Sequence, residues 1–308
     1  MSSVANGTPG TPGAPGTPDA PGATDTPGTP GTPGTPGATG TPGAPGAPVT
    51  PASSRIAGAF AEHKALIAFL TAGDPSLART EEYVAALEKA GVDLIEIGIP
   101  FSDPIAEGPI IQQASLRALA SGTTIGDCIA LARRLRARTQ LPLVFMTYLN
   151  PVFHYGYEAF FADCEQAGVD GIIVPDLPFE EKGEMEPFVR AHGLELISML
   201  APTSEARVAR IAREARGFLY LVSSLGVTGV RESITTDLRP IIAAVRAVSD
   251  VPIAVGFGVH TPKQARELAA LCDGVIIGSA IVQRIGASPA TAAADLSAWL
   301  SPIRAALE

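Results

Sequence analysis

Two carboxylates eleven residues apart, Glu96 and Glu107, open the chemical reading of this chain. Both lie in the stretch LIEIGIPFSDPIAEGP, residues 94–109. Its first part is an apolar run with strand character. Side chains alternate along a strand, so Leu94, Glu96 and Gly98 share one face and Ile95 and Ile97 the other. An acid inside such a run is costly unless it has a partner or a task. The second part, punctuated by Pro100, Pro104 and Pro109, is a loop turning into a helix, and it carries Glu107. One acid on a strand and one on the following loop bracket the mouth of that strand. In a parallel α/β fold, chemistry takes place at that mouth. The plainer alternative is a satisfied core acid beside a solvated loop acid. If Glu96 points inward, burial raises its pKa and lets it give and take a proton near neutrality.

The remaining inventory narrows the reaction. The four lysines, Lys64, Lys89, Lys182 and Lys263, lie away from the carboxyl ends of the expected strands, which disfavours a Schiff-base aldolase. The histidines, His63, His154, His192 and His260, are scattered without ligand spacing, which disfavours a metal-assisted one. His260 reads as a surface or capping residue. Cys128, Cys164 and Cys272 read as buried, inert thiols, in keeping with a reducing cytoplasm. Acid–base work by carboxylates remains. Glycines supply a second constellation: Gly226-Val227-Thr228-Gly229, Gly256-Phe257-Gly258 and Gly278-Ser279 follow three successive apolar runs. Glycine lets backbone N–H groups approach a ligand. A helix beginning at Ser279 would aim its positive end at the same place. Together these predict a phosphate cradle, with simple tight turns as the alternative. With no P-loop pattern present, the expected ligand is a phosphorylated metabolite rather than ATP. Residues 223–236 are long for a strand–helix loop and read as a lid, or more plainly as a surface loop.

The elements that must position these groups alternate along the chain. Strands are expected at residues 66–70, 94–98, 143–147, 171–175, 195–200, 218–222, 252–256 and 274–278. Helices are expected at 80–90, 109–120, 125–138, 179–192, 204–214 and 237–248, then from Thr261-Pro262, from Ser279 and over 291–307. Most of the strand runs are apolar on both faces, as a helix-covered parallel sheet requires. Eight such units predict a single (β/α)8 TIM barrel. A doubly wound open sheet is disfavoured because no G-x-G-x-x-G follows the first strand. Tyr220 shares a face with Phe218 and Val222. The second and sixth strands of an eight-stranded barrel are opposite, so Glu96 and Tyr220 face each other across the interior.

The first 52 of the 308 residues differ from the rest. From Gly7 they run in triplets such as GTP and GAP, with Asp19 and Asp25 in two of the glycine positions. The array is short, interrupted and poor in large apolar side chains, so it reads as a disordered Gly/Pro/Thr-rich tail rather than a collagen-like stalk. Residues 53–308 have the length of one barrel. A net charge of −9 with no Lys/Arg cluster argues against nucleic acid, and no apolar run is long enough for a membrane helix.

Six segments, IEIGIPFSDPIAEGPIIQQA, FMTYLNPVF, GVDGIIVPDLPFEE, YLVSSLGVTG, VGFGV and IIGSAIV, occur in an order and spacing that resemble the tryptophan synthase alpha subunit family, from Leu66 to the C-terminus. The resemblance implies a lyase that cleaves indole-3-glycerol phosphate to indole and glyceraldehyde 3-phosphate without metal or cofactor. It implies Glu96 as the acid–base catalyst, Tyr220 as the active-site tyrosine, and Phe69, Tyr148, Ile173 and Ile276 as pocket residues. Gly229, Phe257, Gly258, Gly278 and Ser279 match the phosphate site, and Thr228 the lid threonine. The family usually has aspartate where this chain has Glu107, which reaches one methylene further. The resemblance implies that an acid here accepts the indole N–H and balances charge on the indolenine. It also implies a pyridoxal-phosphate-bearing beta subunit as partner, an α2β2 complex and a cytoplasmic location. A catalytically weak paralogue that binds ligand and activates a partner is the alternative.

Overall fold

The computed structural model describes residues 55–201, 205–222, 237–256 and 258–308. Its strands are the expected apolar runs, all paired in parallel. They are β1 (Ala65–Thr71), β2 (Leu94–Gly98), β3 (Leu143–Met146), β4 (Gly171–Ile173), β5 (Glu195–Leu196), β6 (Ser198–Leu200), β7 (Leu219–Val222), β8 (Ile253–Gly256) and β9 (Gly274–Ile277). The order across the sheet is β5-β4-β3-β2-β1-β9-β8-β7-β6, a nearly closed TIM barrel. The helices among the described residues are α1 (Arg55–Gly58), α2 (Leu77–Lys89), α3 (Pro109–Ala120), α4 (Ile125–Arg136), α5 (Leu149–Tyr155), α6 (Tyr157–Ala167), α7 (Glu186–Ala191), α8 (Glu205–Glu214), α9 (Arg239–Arg246), α10 (Pro262–Ala269), α11 (Ser279–Ala287) and α12 (Ala292–Ala305).

Strand alternation sorts the core into two shells. Outward residues such as Leu66, Ala68, Leu70, Ile95 and Ile97 pack under the helices. Inward residues, including Ile67, Leu94, Val144, Ile173, Ile197, Phe218 and Ile276, fill the barrel with Ile56 of α1. Each such fully buried aliphatic side chain is worth roughly 1.5–3 kcal/mol over an exposed one. Helix starts follow their local chemistry. Pro109 opens α3, Thr124 forms a capping box with Asp127 at α4, and Thr261 does the same with Gln264 before Pro262 at α10.

Two expectations need correction. The fifth strand, expected unbroken over 195–200, is broken at Ile197: β5 pairs with β4, and β6 pairs with β7. Its halves thus serve different neighbours, and this is where the ring closes. The helix expected over 179–192 is a 3-10 turn at Lys182–Glu184 followed by the short α7. Pro187 within that stretch has no N–H to donate and fits only the first turn of a helix. Helices α5 and α6, between the third and fourth strands, were not among the expected elements. The tail over 1–52 and the lid over 223–236 lie outside the described residues.

Three aspartates fasten the face where the strands begin. Asp93, Asp170 and Asp273 each stand just before a strand and donate a backbone N–H, at 2.8 Å, to Leu66, Leu143 and Ile253 respectively. Their carboxylates accept the N–H of those same residues at 2.7, 2.8 and 2.8 Å. Each is also held by arginine: Arg304 on Asp93, Arg55 and Arg136 on Asp170, and Arg246 on Asp273. A carboxylate with two kinds of charge-assisted partner is strongly held.

Candidate active site

The opposite face carries the chemistry-bearing residues. Glu96 is in the middle of β2, paired in register with Phe69 on β1 and Val144 on β3. Its side chain is wholly buried, and neither carboxyl oxygen has a hydrogen-bond partner. Burial alone pushes its pKa up to about 8. An acid in that state is neutral at pH 7 and can donate a proton; once emptied, it is a better base than an ordinary carboxylate.

Tyr220 lies on β7. In the strand order β2 and β7 are separated by β1, β9 and β8 on one side and by β3, β4 and the broken strand on the other. They therefore face each other across the barrel. Burial raises the Tyr220 phenol well above its usual value, and the Glu96 carboxyl adds to the shift. The phenol thus stays protonated and shares one interior with Glu96. Room for it comes from Gly256 on β8, where a Cβ would lie 2.6 Å from the Tyr220 hydroxyl.

Glu107 precedes α3, whose N-cap is Gly108. Burial pushes its carboxyl up to about 7. Its backbone carbonyl accepts Gln112 Nε2 at 2.8 Å. Tyr148 anchors the loop from the other side. Its hydroxyl accepts the Ala106 N–H at 3.0 Å, and its ring lies against Phe101 with centroids 5.3 Å apart. Burial raises the Tyr148 phenol to about 12, with the Glu107 carboxyl contributing.

Phe69 points inward over Gly98, where a Cβ would come within 2.6 Å of the ring Cζ, so only glycine leaves the ring in place. Ile111, Val282 and Met146 pack around it. Ile173 and Ile276 sit in the inner shell. Gly278 caps α11 and Ser279 is its first residue, 4% exposed. The first-turn N–H groups of a helix have no partner within it, and its dipole favours an anion there. Gly258 follows β8, and its carbonyl oxygen lies 3.2 Å from His260 Nδ1. Because β8 and β9 are adjacent, Gly258 and Gly278 share one side of the mouth. Thr228, Gly229 and Phe257 lie outside the described residues.

Several residues that shape the site carried no signal singled out in the sequence. Met146 lies inward on β3. Asp74, 3% exposed, takes both Nε and Nη2 of Arg117 at 2.7 and 2.8 Å. That fork ties the turn after β1 to α3, the helix that begins beside Glu107. A Gly-Asp-Pro turn after one strand and an arginine one helix later was the available sequence sign. Lys182, in the segment after β4, is spoken for by Glu186 and Glu214 at 3.3 and 3.0 Å. Among the described residues, no group of three or more His, Cys, Asp or Glu is placed to hold a metal ion, and no helix is long and apolar enough to cross a membrane.

Known proteins resemble this chain in sequence and in fold. The family model for tryptophan synthase alpha chains matches residues 58–306. The tryptophan synthase alpha chain of Lactiplantibacillus plantarum is 51% identical over 235 residues, 76% of this chain and 89% of that protein. That of Geobacter sulfurreducens is 50% identical over 236 residues, 75% of this chain and 89% of the relative. The crystal structure of tryptophan synthase subunit alpha from Legionella pneumophila superposes with a TM-score of 0.74 at 35% identity, covering 82% of this chain and 98% of the other. A match across nearly the whole barrel, with such identity, means that the chain belongs to the tryptophan synthase alpha chain family.

Proposed function

We propose that Glu96, Glu107 and Tyr220 carry out the reaction of this alpha chain, the cleavage of indole-3-glycerol phosphate to indole and glyceraldehyde 3-phosphate in tryptophan biosynthesis. The neutral Glu96 carboxyl protonates the indole ring at C3, and positive charge spreads to the ring nitrogen. The Glu107 carboxylate accepts the indole N–H and balances that charge. The emptied Glu96 carboxylate then takes the proton of the C3′ hydroxyl. Its electrons form the aldehyde carbonyl, the C3–C3′ bond breaks, and the pair returns to the ring to give indole. One carboxyl thus ends as it began, and no cofactor is needed in this chain. Tyr220 stays protonated opposite Glu96 and orients the substrate. Phe69, Tyr148, Ile173 and Ile276 enclose the indole, and Gly258, Gly278 and Ser279 hold the phosphate, with Thr228, Gly229 and Phe257 completing that end.

The observation that carries this reading is the Glu96 carboxyl, wholly buried and unpartnered within the barrel. A polar group so placed costs stability unless a ligand uses it. Family membership implies a beta subunit as partner, which takes up the indole; an α2β2 complex, with pyridoxal phosphate in the beta subunit only, is the assembly that fits. A cytoplasmic location and a division into a tail over 1–52 and a catalytic barrel over 53–308 belong to the same proposal. The test is indole release from indole-3-glycerol phosphate by the wild type beside Glu96→Gln, with and without a beta subunit. The wild type should release indole and the variant should not; equal rates would overturn the assignment.

A further inference from the structure

The hydroxyl of Thr71 is buried without a partner and is used neither by the fold nor by the steps above. Along β1, Ile67 belongs to the inner shell and Phe69 to the cavity wall, whereas Leu66, Ala68 and Leu70 face the helices. Alternation therefore places Thr71 on the inner face. Its register partner is Gly98, which has no side chain to fill the space before it, and the pair sits one inward position above Phe69 and Glu96. Thr71 is 3% exposed, and its Oγ1 has no hydrogen-bond partner. Valine has the same shape without the cost of an unpaired hydroxyl, so threonine here asks for a partner that the protein alone does not provide.

The position says which partner. On one side β1 adjoins β2, which bears Glu96; on the other it adjoins β9, which leads into Gly278 and Ser279. Thr71 stands between the reacting end of the cavity and its phosphate end. We propose that the Thr71 hydroxyl binds a hydroxyl of the substrate's three-carbon chain, between the bond that breaks and the phosphate. This rests on the substrate reading given above. The hydroxyl can both donate and accept, as an alcohol partner requires. It also fixes the rotation of the chain, so that the C3′ hydroxyl is presented to Glu96.

Thr147 supplies an internal control. It follows β3 on the outer face set by Phe145, is 1% exposed, and its hydroxyl also lacks a partner. Continued alternation puts it on the side opposite to Met146, away from the barrel interior.

The experiment compares Thr71→Val, Thr71→Ser and Thr147→Val in full-length protein. Thr71→Val should raise KM for indole-3-glycerol phosphate by about tenfold or more, while raising Tm by roughly 2–4 °C. It should leave unchanged the affinity for an analogue whose chain hydroxyls are replaced by hydrogen. Thr71→Ser should restore KM, and Thr147→Val should raise Tm with KM unaltered. An unchanged KM in Thr71→Val, or equal weakening of the analogue, overturns the inference. Absence of indole release by the wild type would instead refute the reaction itself.

Discussion

Replacing Glu96 by glutamine should change how stability depends on pH, and the size of the change follows from the structure. In the folded protein, burial holds the carboxyl protonated up to about pH 8, against an ordinary value of 4.5. As pH rises above the ordinary value, the unfolded chain releases this proton and the folded chain keeps it. The folded state then binds more protons, so stability contributed at low pH is lost with rising pH, at about 1.4 kcal/mol per pH unit. The loss is complete once pH passes the folded value. Over the span from about pH 5.5 to about pH 8.5 the wild type should lose about 3 kcal/mol that the glutamine variant does not lose. The other acids titrate alike in both proteins and cancel in the difference. Urea unfolding followed by circular dichroism, without ligand, at several pH values across that span measures it. Parallel pH dependences for the two proteins would refute the claim that Glu96 is buried without a compensating partner. Activity should fall at least a hundredfold in the same variant, because its amide can neither give nor take the proton.

Other expectations follow from the same geometry. Glu107 is raised to about 7 and Glu96 to about 8, so kcat/KM should rise through the first and fall through the second, giving a narrow optimum between them. Glu107→Gln should remove the acid-side limb and slow cleavage by about a hundredfold or more; a profile that keeps this limb counts against Glu107. Gly98→Ala would place a methyl 2.6 Å from Phe69 Cζ, displacing the ring. Its kcat/KM should drop by about tenfold or more while the barrel stays folded, at a cost of about 1–3 kcal/mol by thermal unfolding. Arg117→Leu leaves Asp74 buried and unpaired, and should destabilise by about 2–3 kcal/mol. If the fork also positions Glu107, its effect on kcat should largely vanish in a Glu107→Gln background; additive losses would show a purely structural role.

Much of this was legible along the chain because periodicity and end signals agreed. The run around Glu96 read as a strand and its lone acid stood out, although neighbours that are apolar on both faces do not say which face is inward. Pro109 and Thr261-Pro262 marked helix starts where the structure has them. What stayed hidden depends on partners distant in sequence. Nothing within ELISML says that its first two residues pair with one neighbour and its last three with another. Residues 179–192 read as one helix, although Pro187 interrupts the backbone bonding. Thr71 looks like an ordinary strand-end residue until Gly98 is seen beside it. Gly-Val-Asp occurs twice, at residues 91–93 and 168–170, an unread sign of the aspartate fastenings.

Those fastenings have a consequence for how the enzyme can change. A strand that slips by one residue turns every inward side chain outward. At Leu66, Leu143 and Ile253 the alignment of a strand with its successor is pinned by a paired backbone and carboxylate contact, at the end remote from the substrate. The loops at the other end, including the one that carries Glu107, can therefore vary in length and composition without unthreading the wall that aims Glu96. The barrel keeps its alignment on one rim and does its chemical experimenting on the other.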